Sequence, residues 1–140
     1  MVKNRVKACF DGASRGNPGE AAWGAIIHNG EKVVTISEHL GVMTNNEAEY
    51  HGLIGVLEWA LKHGVTDLHV FSDSQLVVGQ MTGIYRVKAK NLFPLFFRAT
   101  ELRKSLPVFT ISHIPRSENS EADKVVNMEI ERNRLSEDKK

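Results

Sequence analysis

Between residues 5 and 11, apolar Val6, Ala8 and Phe10 alternate with Lys7, Cys9 and Asp11. That is the two-residue period of a half-buried strand. The run SRGNPG then reads as a turn. AAWGAII and KVVTISEHL read as two further strands, and the Asn29-Gly30 pair between them is a strong hairpin signal. Strands one to three are therefore expected to form an antiparallel meander. From residue 45 to 63 the period changes to that of a helix, with Asn45 or Asn46 as its cap and Gly64 beyond its end. LHVFS reads as a short buried strand and DSQLVVGQM as a helix directly after it. A helix over 90–105 has Pro94 in its first turn, PVFTISHI is the last strand, and 119–133 the last helix.

The predicted order is βββ-α-β-α-α-β-α. A strand–helix–strand crossover implies parallel pairing. The α/β reading is thus a mixed sheet of about five strands, with antiparallel strands 1–3, parallel strands 4 and 5, and helices on both faces. The most apolar strands, the first and fourth, should be central and adjacent. The 140 residues fit one domain, read as 1–134 with a fraying tail over 135–140. The single cysteine, Cys9, reads as a buried core thiol and excludes a disulfide framework or a zinc-type Cys cluster. No apolar run approaches the ~20 residues of a membrane span, and MVKNRVK lacks the apolar stretch of a signal peptide. The expected location is cytoplasmic. A net charge of +1 gives no bulk electrostatic case for nucleic acid, so such a case needs a local patch.

Four carboxylates stand where a folding chain does not ordinarily put charge: Asp11, Glu49, Asp73 and Asp123. Asp11 and Asp73 end apolar strand runs. At about 100° per residue, Leu53, Val56 and Ala60 fall within about 40° of Glu49, while Glu47 and Glu58 fall on the far side. Asp123 shares its face with Val126 and Ile130 in the same way. Taken singly, each has a bland reading, as a strand-end turn residue or a first-turn acid favoured by the helix dipole. Together they map to neighbouring ends of central elements, where open α/β sheets bind ligands. An oxygen-only donor set favours Mg²⁺ or Mn²⁺. Two such ions ~3.5–4 Å apart clamp the attacking and leaving oxygens of an in-line phosphoryl displacement.

DGASRGNPG from Asp11, TNNEAEYHGLIGVLEWA from Thr44, FSDSQLVV from Phe71 and HIPRSENSEADKVVN from His113 together resemble the type 1 ribonuclease H (ribonuclease HI) family, over essentially the whole chain. The resemblance implies a ribonuclease H-like fold and Mg²⁺-dependent hydrolysis of the RNA strand of RNA–DNA hybrids, leaving 3′-hydroxyl and 5′-phosphate ends. It implies two Mg²⁺ ions, with Mn²⁺ able to substitute, held by Asp11, Glu49, Asp73 and Asp123. Asn17, Asn45 and Gln75 match positions that contact the hybrid minor groove, where short amides and hydroxyls can read a 2′-hydroxyl; Ser14 occupies a neighbouring contact position and Asn46 follows Asn45 in the same motif. Thr44 matches a residue that holds a DNA-strand phosphate. The implied partner is the hybrid alone, with no membrane, no obligatory protein partner and a monomeric chain.

Three departures bear on this. GIYRVKAKNLFPLF leaves no room for the basic protrusion of many members, and Arg86, Lys88 and Lys90 stand in its place. Ala89 occupies the position of an Asn that helps hold the DNA phosphate. His113 has the spacing of a mobile histidine that assists catalysis, yet it reads as strand, and Arg116 is its rival. A non-catalytic hybrid-binding module and another nuclease of the wider superfamily remain alternatives at this point.

Overall fold

A computed structural model describes residues 5–138; residues 1–4, part of the stretch read for a leader, and 139–140 lie outside the described residues. Strands β1 (Arg5–Gly16), β2 (Gly19–Asn29) and β3 (Lys32–Met43) form the antiparallel meander. Strands β4 (Asp67–Ser72) and β5 (Val108–His113) add in parallel on the other side of β1, giving the order β3-β2-β1-β4-β5. The first and fourth strands are central and adjacent, as their apolar character predicts.

Strand β1 does not end at Asp11. It continues to Gly16 because β2 still offers it partners, with Gly12 opposite Trp23 and Ser14 opposite Ala21, and the turn shrinks to Asn17–Pro18. Pairing with β4, by contrast, stops at Cys9–Phe71. The two central strands part there, beside Asp11 and Gly12. At the β2–β3 turn Gly30 takes the left-handed conformation, φ 64°, that the tight hairpin requires. A bulge interrupts the β2–β3 ladder where Ala21 pairs with Gly41 and Ala22 with His39.

Helices α1 (Asn45–Lys62), α2 (Gln75–Met81) and α3 (Phe93–Lys104) cover one face of the sheet, and α4 (Ser120–Asp138) the other. The cap of α1 is Thr44 rather than Asn45 or Asn46. Its hydroxyl accepts the Glu47 N–H while the Glu47 carboxylate accepts the Thr44 N–H, a complete capping box. The helix expected from residue 90 begins as a 3-10 turn, Lys90–Leu92, and becomes α-helical with Pro94 in its first turn, where a missing N–H costs nothing. Helix α4 runs past the expected end at 133, so the tail expected to fray from 135 is helical through Asp138.

The main core lies between the sheet and α1–α3 and includes Phe10, Tyr50, Leu53, Leu57, Leu68 and Val70, all fully buried. Cys9 points to the opposite face and is half-buried rather than part of this core. Helix α1 lies against β1 closely enough that a Cβ on Gly12 would stand 2.3 Å from the Ala48 carbonyl carbon and 2.4 Å from the Glu49 nitrogen. That contact presses the first turns of α1 onto the point where β1 and β4 part. Helix α2, too short to hold itself, is fastened by the buried Tyr50 hydroxyl, which donates to Gln80 Oε1. Tyr50→Phe strands that amide oxygen in the core and should lower stability by about 1–3 kcal/mol. Urea unfolding followed by far-UV circular dichroism measures it, with an unchanged midpoint counting against the clasp.

Candidate active site

The parting of β1 and β4 leaves the Gly12 N–H without a strand partner. It donates to two side chains, Asp11 Oδ1 at 3.0 Å and Glu49 Oε1 at 3.1 Å. One amide thereby holds two carboxylates beside each other. Asp73 enters from the end of β4, in a connection fixed by the Ser74 N–H donating to Ser72 Oγ and by Ser74 capping α2. Ligand atoms of Asp11, Glu49 and Asp73 all lie within 4.8 Å of one another. They line one cavity with Gly12, Asn45, Asn46, Ser74, Arg116 and Asp123. Asp123 is exposed, not on the buried stripe that its helical phase suggested. It stands in the first turn of α4, one residue past buried Ala122, and reaches the rim of the cavity.

Burial raises both central acids. Asp11 is pushed up from 3.8 to about 7, first by loss of water and then by the charges of Asp73 and Asp123, against a hydrogen bond with Glu49 that lowers it. Glu49 is held well above the usual carboxylate range, first by burial and next by Asp11, with the Gly12 N–H acting in the opposite sense. Glu49 Oε2 is buried and has no hydrogen-bond partner. A dehydrated carboxylate oxygen facing other carboxylates is unfavourable unless a cation meets it. The donor set is oxygen alone, so these residues fit a hard divalent cation.

The other expected residues fall into two groups. Asn45 and Asn46 line the cavity. Asn45 is fixed at both ends: its N–H donates to Asn17 Oδ1 at 3.0 Å, and its Oδ1 accepts the Ser14 N–H at 2.8 Å. Ser14 and Asn17 thus tie the β1–β2 turn to the start of α1, beside the cavity but not in its wall. Thr44 is engaged in its cap, and Gln75 is exposed at the start of α2. Lys88 lies apart, lining a separate shallow groove with Leu76, Ile84, Tyr85 and Arg86. Of the two rivals, Arg116 is in the cavity wall with Nε 3.9 Å from Asp73 Oδ2, whereas His113 ends β5 exposed to solvent and outside the lining. Gly12 and Ser74 escaped sequence reasoning. The Asp-Gly pair signalled only a turn, and nothing in it shows that the amide holds a residue 37 positions away.

A family profile described as "Reverse transcriptase-like" matches residues 9–129. The chain is 42% identical over 125 residues to the ribonuclease HI of Halobacterium salinarum, covering 88% of this chain and 63% of that protein. It is 40% identical over 120 residues to the bifunctional protein Rv2228c of Mycobacterium tuberculosis, covering 84% of this chain and 33% of that one. The chain therefore spans less than two thirds of these curated relatives. The solved structure of LC11-RNase H1 in complex with RNA/DNA hybrid superimposes with a TM-score of 0.86 at 34% identity, over 92% of this chain and 99% of that one.

The raised acids have a consequence for folding. In the unfolded chain Asp11 releases its proton near 3.8, in the fold only near 7, so the folded protein binds more protons between those values. Without divalent cations, stability should fall as the pH rises from about 4 through about 7, and the raised Glu49 acts in the same direction. Millimolar Mg²⁺ or Mn²⁺ should restore the loss at pH 7–8. Thermal melts across pH with and without the cation test this, and a midpoint that rises with pH in chelator would contradict it.

Proposed function

The chain belongs to the ribonuclease HI family, and we propose that it is an endoribonuclease cutting the RNA strand of RNA–DNA hybrids at the Asp11–Glu49–Asp73 cluster. The observation that carries the reading is the convergence of these three carboxylates, with Glu49 Oε2 buried and unpartnered among them. Asp11, Glu49 and Asp73, with Asp123 at the rim, are the residues that would hold two Mg²⁺ ions, for which Mn²⁺ can substitute. When bound, such ions supply activation of water and stabilisation of the departing 3′ oxygen.

The chain's own residues do the rest. Gly12 fixes Glu49 through Oε1, leaving Oε2 as its free donor atom. Asn45 has its oxygen occupied by Ser14, so its Nδ2 is the free edge and suits a 2′-hydroxyl. Asn46 adds a second amide at the same wall. Ser14, Asn17 and Gln75 extend this polar surface along the hybrid, and the Thr44 hydroxyl retains a proton to offer a DNA phosphate. Arg86, Lys88 and Lys90 give exposed positive charge where the protrusion is absent, which makes binding dependent on salt. The planar guanidinium of Arg116 suits steadying a phosphate rather than shuttling a proton. The cavity wall thus favours charge stabilisation by Arg116 over proton transfer by His113. Products carry 3′-hydroxyl and 5′-phosphate ends, and the chain works as a cytoplasmic monomer.

Cleavage of a labelled RNA–DNA hybrid in Mg²⁺ tests the activity: Asp11→Asn should lose about 10³-fold or more in rate. Hybrid binding without turnover by the unmodified chain would sink the enzymatic reading. At saturating hybrid, Arg116→Ala should lower turnover by about ten-fold or more, in the range of a lost charge-stabilising donor, while His113→Ala changes it little. The reverse pattern returns the role to His113.

A further inference from the structure

Asn119 immediately precedes α4, where a side chain ordinarily accepts hydrogen bonds from the first helical N–H groups. It does not act in that way. It is 2% exposed, its Nδ2 donates to the Phe10 carbonyl at 2.9 Å, and its Oδ1 is buried without a partner. Its own backbone carbonyl accepts the Asp123 N–H at 3.1 Å. The residue thus forgoes its cap and leaves an oxygen unsatisfied, an arrangement that calls for a compensating role. The two bonds form a short path from the residue before Asp11, through Asn119, to the backbone of Asp123. Asp11, Glu49 and Asp73 are placed by β1, α1 and β4 and need no such path. Asp123 is exposed and comes from a helix packed on the opposite face of the sheet.

We propose that Asn119 is a positioning residue that registers Asp123 against Asp11 by latching the start of α4 to the Phe10 carbonyl. It touches neither the reacting atoms nor the three-carboxylate cluster. The proposal rests on Asp123 working in the site described above. Its test is a double-mutant cycle on the full chain, assayed well below the melting midpoints at saturating hybrid in Mg²⁺. Asn119→Ala should lower kcat by about ten-fold or more, with KM within about three-fold. In an Asp123→Asn background the same substitution should change kcat by less than about two-fold, because its route of action is already gone. Effects that multiply, or an unchanged kcat with only a lower melting midpoint, overturn the proposal. If Asn119→Ala does not fold, Asn119→Asp keeps the size and loses the donor when ionised, and is measured in the same way. Amide hydrogen exchange at Asp123 in the protein without hybrid is the second readout. It should quicken by about ten-fold in the variant while the Tyr50 amide is unchanged, and equal quickening at both sites, or none, overturns the latch. If the unmodified chain fails to cleave hybrid, the activity reading fails and the exchange measurement decides the latch alone.

Discussion

Two dehydrated carboxylates share one backbone amide, and the architecture around them is what keeps them there. Left to themselves, Asp11 and Glu49 would separate or take up water. The Gly12 N–H can hold both only because β4 has stopped pairing with β1 three residues earlier, at Cys9–Phe71. Glu49 can reach that amide only because α1 lies against a residue with no side chain. The meander holds β1 straight through this point, and the α1–α2 clasp holds Asp73 across from it. The repulsion at the centre is thus contained by elements whose own stability comes from elsewhere, chiefly the apolar layer beneath α1.

That division explains why the site is open on one side. A fully enclosed set of carboxylates would keep its protons, and a fully exposed set would not be held close. Here the two inner acids are dry, while Asp73 is half-buried and Asp123 exposed. The gradient of water runs along the path by which a phosphodiester would enter. Asn45 and Asn46 are exposed residues in the wall of the same cavity. Under the proposed function their amides would face a bound hybrid beside the acids, which suits selection between ribose and deoxyribose.

Much of this was legible in the chain itself. The period change at residue 45, the Asn29-Gly30 hairpin and the apolar character of the first and fourth strands were enough for the strand order. The 3.6-residue phase of Glu49 correctly turned it inward. The same reasoning misplaced Asp123, because phase places a residue only to within the width of the apolar stripe and first-turn residues sit at its margin. Strand β1 looked shorter than it is because its second half, GASRG, carries no alternation of its own and is extended only by its neighbour. The roles of Gly12, Ser74 and Asn119 depend on backbone groups brought from distant segments. No local pattern encodes such contacts.

Strand β3 has an importance of a different kind. It is the outer strand of the sheet, 12 residues long, and it carries Val33 and Val42 in the open at 60% and 73% exposure. A flat edge of that length is a template on which another chain can add a strand. The bulge at His39–Gly41 divides it into two shorter stretches whose free amides no longer run in one line. Lys32 and Glu38 place charge on the longer of the two. The irregularity that first registers as a fault in the β2–β3 ladder therefore guards the chain against stacking on its own copies, and smoothing it into a regular strand would trade a local gain in pairing for a loss of solubility.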